Sequence, residues 1–312
     1  MTATSTAIDE AARKDGRRSG ARGSRLRTSQ RRAGIAFALP VILLEAGFLF
    51  LPIVQALYYS FTKWDGITSS WIGAANYQRL FSDPTFWRVV GNNLLLLTSV
   101  PFAILIPLLV AYLLNEHVLG WRFFRSAYFL PTAISWVVIG MVALRFFATE
   151  GMLNHLLAAI GLGGVKLDLL GGELSAMLAV AITFVWSVFG TNTIIFITGM
   201  ATLDREVYEA ARVDGASAFT TFRKITIPML MRFIQFAFIL TLITAFTALF
   251  SLIFVMTGGG PGYGTTTLEF YVYHQGFKVG VFGYAAAIGI VLFAVVFMIS
   301  IVQLRLFRSR LD

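Results

Sequence analysis

Pairs of polar side chains recur at helical spacing inside runs that are otherwise apolar. Thr132 and Trp136 lie four apart, as do Ser187 and Thr191, while Thr244 and Thr247 lie three apart; Trp186 and Asn192 flank the second pair. Residues three or four apart share one face of a helix. Hydroxyls, an amide and indole faces suit an uncharged sugar, whose hydroxyls need hydrogen-bond partners and whose C–H face stacks on aromatic rings. Each residue alone is equally an ordinary packing residue between apolar helices. The expectation of a substrate path therefore rests on the cluster Thr132, Trp136, Ser187, Thr191, Asn192, Thr244 and Thr247. Glu45 is the sole carboxylate deep in such a run, and a protonated or interhelically bonded group in the first helix is its simpler reading.

Other chemistries lack their residues. None of Lys14, Lys63, Lys166, Lys224 and Lys278 follows a glycine, so there is no phosphate-binding G-x-x-x-x-G-K-[ST] loop. His117, His155 and His274 fall in separate segments without metal-ligand spacing. There is no cysteine, no G-x-S-x-G element and no carboxylate pair inside an apolar run. The chain is expected to be no enzyme and to hold no cofactor or metal of its own.

The elements that position these residues follow from composition. Of 312 residues, 57% are hydrophobic and 13% charged, about half the charged share of a soluble domain. Six runs are long enough to cross a bilayer: Ile35–Tyr59, Leu94–Leu114, Phe129–Phe147, Leu174–Met200, Met229–Met256 and Tyr284–Leu306. The fold class is an all-α, polytopic membrane protein with six transmembrane helices. The first run is too long for a cleavable signal. Residues 1–33 carry nine Arg/Lys and read as a disordered basic tail that meets anionic lipid rather than nucleic acid, followed by a transmembrane domain, 34–310. The tail, 115–127, 201–232 and the C-terminal end together hold 19 Arg/Lys against 6 in the alternate segments, which places both termini in the cytoplasm. In the last run, Gly283-x-x-x-Ala287 and Ala285-x-x-x-Gly289 argue close helix packing.

The loop 201–228 carries more design than a connector needs. Asp204 and Glu206 suit the first turn of a short helix through Val207–Ala211, and Gly215 suits its end. Phe219, Phe222 and Ile225 follow at spacing three, and Pro228 sits where a first-turn proline would open the fifth span. Ala210 and Ala211 make a thin face for another protein's cleft, with Glu209 beside it to pair with a basic residue.

Here the chain resembles a known family. Glu209-Ala210-Ala211, then Asp214-Gly215-Ala216, then Phe222, Ile225 and Pro228 match the cytoplasmic EAA loop of ABC importer permeases, with Asp204 and Arg232 standing where proline is common. The segments MTGGGPGYGTTTLEFYVYHQGF (256–277) and YAAAIGIVLFAVVFMISIVQLRLF (284–307) resemble the carbohydrate-type, maltose-F-like members. The likeness covers about residues 35–307, without the extra N-terminal spans and large second external domain of the maltose protein. It implies a type I ABC importer permease (MetI-like) fold in the cell membrane, working by alternating access. It also implies that Glu209, Ala210, Ala211, Asp214, Gly215 and Ala216 couple to an ATPase, and that spans three to five line the sugar path. The implied partners are a second homologous permease, two ATP-binding subunits that hold ATP and Mg, and an external solute-binding protein delivering a sugar or oligosaccharide. The alternatives are a related permease for a glycerophosphodiester, polyamine, phosphate or another anion, which predicts charge in the cavity, and a non-transporting scaffold or sensor. Independently of the family, three glycines and Pro261 force a turn after span five, and Phe270, Tyr271, Tyr273, His274 and Phe277 read as an amphipathic stretch for the membrane interface or a docked partner.

Overall fold

A computed structural model describes residues 34, 35, 37–115 and 130–308. The expected tail 1–33, residues 116–129 (with His117, Arg122, Arg125 and the start of the third run) and residues 309–312 lie outside them. Residues 1–58 and 59–312 form two units. The first unit supplies nearly all of helix α1 (Phe37–Ser60), which contains a π turn at Ala46–Phe50. No residue of α1 before Ser60 is buried, and Glu45, just ahead of the π turn, is exposed.

The second unit begins with an antiparallel hairpin, β1 (Thr62–Trp64) and β2 (Ser69–Trp71), with Lys63 opposite Ser70. Asp65 closes its turn by accepting the N–H groups of Ile67 (2.9 Å) and Thr68 (2.7 Å) and the Thr68 hydroxyl (2.8 Å). Those bonds, Ile67's first, hold its carboxyl down at about 2. Helix α2 (Ala75–Ser82) ends at Asp83, which caps α3 (Pro84–Leu97) by accepting the Thr85 N–H at 2.9 Å. Pro84 takes the first turn, where a missing N–H costs nothing. With α4 (Val100–Asn115) it forms one span, Pro84–Leu114, so the second span starts well before Leu94. The reason is the Asp-Pro cap, which launches a helix whose first turns are half polar.

The expected third span is not one helix. Residues 130–133 are helical, Ile134 and Ser135 interrupt, and α5 (Trp136–Phe147) restarts with Ser135 extended (ψ 150°) and its hydroxyl accepting the Val138 N–H at 3.4 Å. Helix α6 (Met152–Leu157) continues through a π turn, bent 43° from α5. Helix α7 (Glu173–Met200) is unbroken and packs along α4 in a core around Ile104, Leu108, Val180, Phe184 and Phe196. After it come α8 (Arg205–Val213), α9 (Ala218–Met229) and α10 (Met231–Thr247), the last two meeting at 72°. Pro228 thus lies inside α9, not at the start of α10. The expected fifth span also breaks: Ala248 leaves the helix at φ −128°, and α11 (Phe250–Met256) restarts beyond it.

Two elements complete the unit, α12 (Leu268–Tyr273) and α13 (Phe282–Arg308). The small-residue face of α13 packs closely: Ala285 and Ala287 are buried, and a Cβ on Gly283 would run into the Thr62 carbonyl of β1. Among the described residues, four helices are long and apolar enough to cross a membrane, or six when each bent pair counts as one span.

Candidate functional site

The start of α5, the middle of α7 and the C-terminal half of α10 converge on a cavity of about 190 Å³. Six of the seven expected polar residues line it: Thr132, Trp136, Ser187, Thr191, Asn192 and Thr244, joined by Thr241. Thr247 is exposed and lies outside that lining. Thr132 and Trp136 reach the cavity from either side of the break at Ile134–Ser135, rather than from one helical face. Trp186 turns away, into a separate apolar cavity of about 320 Å³ with Val142, Phe146 and Ile182.

The polar groups divide into two kinds. The Asn192 amide is committed to structure: Nδ2 donates to the Ala103 carbonyl of α4 (2.8 Å) and to Thr241 Oγ1 of α10 (3.0 Å), and the Thr241 hydroxyl is 3.3 Å from Asn192 Oδ1. One buried amide thereby ties three helices together, as a polar group in an apolar bundle must. The hydroxyls of Ser187, Thr244 and Thr247 instead donate to carbonyls of their own helices, Phe184 (2.7 Å), Leu240 (2.8 Å) and Ile243 (2.9 Å). A hydroxyl that has given its proton to the preceding turn keeps lone pairs for a donor. Ser187 and Thr244 thus offer acceptors in the lining beside one indole, and none of the described lining residues is charged.

The loop after α7 is a capped helix. Asp204 Oδ1 accepts the Glu206 N–H at 3.0 Å, and α8 ends where Gly215 takes φ +75°. The Ala216 N–H donates to the Ala211 carbonyl (2.9 Å) and the Gly215 N–H to the Arg212 carbonyl (3.1 Å), the double bond pattern of a glycine-terminated helix. The two expected surface alanines part company. Ala210 and Glu209 are exposed, whereas Ala211 is buried at 7% exposure, its carbonyl held in the cap. The Tyr208 and Thr226 hydroxyls meet at 3.2 Å, Tyr112 Oη donates to the Ala218 carbonyl at 3.3 Å, and the rings of Tyr112 and Phe222 lie 4.9 Å apart. These contacts fix α8 and α9 against the end of α4. Val213 and Phe219 are left outward.

At the other end of the α3–α4 span, residues 257–281 fold back into the bundle. Gly259 has φ +86°, and a Cβ there would meet the Phe270 ring and Thr266 Oγ1 at 2.7 Å. This return overturns the interfacial reading for two of the aromatics: Phe270 and Tyr271 are 1% exposed, although Phe277 does face outward. The hydroxyls of Tyr271 (2.8 Å) and Tyr284 (2.9 Å) both donate to Asp83 Oδ2. Burial raises the Asp83 carboxyl, but the Tyr271 hydroxyl, the Thr85 N–H and the Tyr284 hydroxyl outweigh it and hold the group below the ordinary aspartate value. Burial, and then Asp83, push the Tyr271 phenol up to about 12. Asn92 Nδ2 donates to the carbonyls of Tyr263 (2.6 Å) and Thr266 (2.9 Å), and Asn93 Oδ1 accepts the Leu268 N–H at 2.8 Å. Glu269 Oε2 accepts the N–H groups of Leu249 (3.1 Å) and Phe250 (3.0 Å). Sequence reasoning missed these anchors; adjacent asparagines at the edge of an apolar run and an Asp-Pro pair were the available signals.

Comparison with known proteins fits this architecture. Residues 66–311 match the family described as binding-protein-dependent transport system inner membrane component. The chain is 32% identical to the multiple sugar-binding transport system permease protein MsmF of Streptococcus mutans over 88% of its own length and 95% of that protein's. It is 30% identical to the trehalose/maltose transport system permease protein MalF of Thermococcus litoralis over 93% and 98% of the two chains. The same fold occurs in the crystal structure of a bacterial ABC transporter involved in the import of the acidic polysaccharide alginate, at a TM-score of 0.78 and 23% identity, over 91% of this chain and 99% of that one. With a match running from the hairpin to the last helix, the chain belongs to the binding-protein-dependent transport system inner membrane components, as an ABC importer permease of the type I fold.

Proposed function

We propose that this chain is one transmembrane subunit of an ATP-driven importer that moves a sugar or oligosaccharide by alternating access. The carrying observation is the cavity, where uncharged, acceptor-rich hydroxyls stand beside the Trp136 indole between helices broken at its edge. A neutral polyol supplies donors for the Ser187 and Thr244 oxygens and a C–H face for the indole. A polyamine or anion would find no counter-charge among the described lining residues, and burying an unpaired charge is costly. Several relatives are named for sugars, which supports the same class.

On this reading both termini and α8 face the cytoplasm, and the segment 257–281 faces outward. The exposed side of α8, with Glu209 and Ala210, docks on a separate ATP-binding subunit that holds ATP and Mg, while Asp214, Gly215, Ala216 and the inward Ala211 hold the helix in shape. A second permease closes the cavity, and an external binding protein delivers the solute. Only differential interaction with the inward- and outward-open states drives such a cycle.

The test is to tag the chain, solubilise its native membrane gently and identify what co-purifies. A P-loop ATPase and a second permease are expected, together with a binding protein that takes neutral sugars in preference to polyamines or organic anions. A chain that purifies alone, even after cross-linking through residue 209, refutes the subunit reading. A binding protein selective for charged solutes refutes the sugar.

A further inference from the structure

The fifth span breaks at the edge of the cavity. Thr244, on the last turn before the break, lines it. Beyond the break, α11 packs on α5, where a Cβ on Gly140 would come within 3.2 Å of the Leu252 carbonyl and of Val255, and α5 contributes Trp136 to the same lining. A break in a membrane helix frees backbone N–H groups that hydrocarbon cannot satisfy. Two of the freed groups are those of Leu249 and Phe250, and both donate to one oxygen, Glu269 Oε2.

Glu269 is not on a neighbouring turn; it is borne by α12, in the segment that returns from the far side of the glycine turn. That segment is bolted to the start of the second span by Asn92, Asn93 and the Tyr271–Asp83 bond. The ring of Phe250 also lies 4.9 Å from Tyr273 and 5.8 Å from Phe270 of α12. Residues 257–281 therefore form a strut between α3 and the break beside the cavity, and Glu269 is its polar end.

We propose that Glu269 is a positioning residue for transport: its carboxylate sets the geometry of the Ala248–Leu249 break and makes the α10–α11 wall of the cavity move with the segment 257–281. The consequence for transport rests on the import function proposed above; the geometric part does not.

The chain has no cysteine, so one introduced at the half-buried Ala248 is the single reactive thiol of this chain, read on its own band after the subunits are separated. In the full complex, the rate at which a methanethiosulfonate reagent labels Ala248→Cys is compared with Glu269 intact, Glu269→Gln and Glu269→Ala. Glutamine keeps a carbonyl oxygen able to accept both N–H groups; alanine keeps none. Loss of two backbone bonds of ordinary worth predicts labelling roughly tenfold faster for Glu269→Ala, with Glu269→Gln much nearer the parent. Should Glu269→Ala fail to assemble, Glu269→Asp, shorter by one methylene, gives the same comparison on a smaller scale.

Equal rates in all backgrounds, or Gln as fast as Ala, overturn the proposal. A second cysteine at exposed Val279 should label alike throughout, and a parallel rise there, meaning general loosening, overturns it as well. In the same complex, kcat for ATP hydrolysis should fall about fivefold or more in Glu269→Ala with KM for ATP unchanged, because the nucleotide site lies on another subunit. An unchanged kcat overturns the role in transport. An unsubstituted complex that hydrolyses no ATP refutes the import reading instead, and the labelling ratio still decides the geometry.

Discussion

Gly215 offers a graded test of whether the shape of α8 matters. The residue sits at φ +75° with nothing within 4 Å of the position a Cβ would take. A substitution there meets strain but no clash. Moving an L-residue into the left-handed region costs about 1–2 kcal/mol, least for asparagine. A short helix such as α8 has little stability of its own, so that cost falls on the cap formed by the Ala216 and Gly215 N–H groups. It shifts the ratio of capped to frayed loop by a factor of about 5–30. Proline is worse on two counts: its ring fixes φ near −65°, and it deletes the N–H that bonds the Arg212 carbonyl, together costing about 3 kcal/mol or more. On the import function proposed above, sugar uptake per ATP hydrolysed by the reconstituted complex should therefore rank Gly above Asn, Asn above Ala and Ala above Pro, while the amount of assembled complex stays constant. Near-normal coupling in Gly215→Pro, or Asn and Ala indistinguishable at a reduced level, would refute the reasoning, since backbone conformation and, for proline, the lost N–H are what separate these variants.

Two further outcomes follow from buried groups. Asn192→Ala leaves the Ala103 carbonyl and the Thr241 hydroxyl without their shared donor, at a cost of about 1–3 kcal/mol; the solubilised complex should melt several degrees lower, whereas Ser187→Ala, which removes a bond made only within α7, should not lower the melting point. Asp83, held below the ordinary aspartate value, contributes stability that is present above that value and lost as pH falls through the lowered one, so Asp83→Asn should melt lower than the parent by a constant gap from pH 8 to pH 5, and a gap already closing at pH 6 would contradict it.

The sequence is most legible where cause and effect are neighbours. Asp204 caps α8 two residues on, and Gly215 ends it within its own turn, so both could be read in order along the chain. The same holds for the apolar runs that became α1, α7 and α13. The breaks were not legible, because a hydrophobic window records how apolar a stretch is, not whether its backbone stays helical. Ser135 is a local N-cap signal that the window overrode. The break at Ala248 carries no local signal at all: the carboxylate that satisfies it arrives from Glu269, across a glycine turn. Phe270 and Tyr271 failed as interface residues for a related reason, since periodicity marks a face as apolar without saying what covers it. The chain returns at Gly258–Gly262, and the core covers that face.

The cavity's walls are unequal, and the inequality has mechanical content. The α7 wall is continuous and locked to α4 through the Asn192–Ala103 bond and a shared apolar core. The other two walls, α5 and α10, each break where they reach the cavity, at Ser135 and at Ala248. Packed helices respond to load as rigid bodies, and large φ/ψ changes are taken up at a few element ends. The loop 201–228 is joined to the rigid part: α8 follows α7 after a short turn, Tyr208 ties it to α9, and Tyr112 ties α9 to α4. On the import function proposed above, a push on α8 is delivered to the α4–α7 frame, and the breaks at Ser135 and Ala248 are the interruptions beside the cavity where relative motion can be taken up. In the proposed cycle that arrangement would let the cavity open or close without disturbing the Asn192 knot that ties its three helices together.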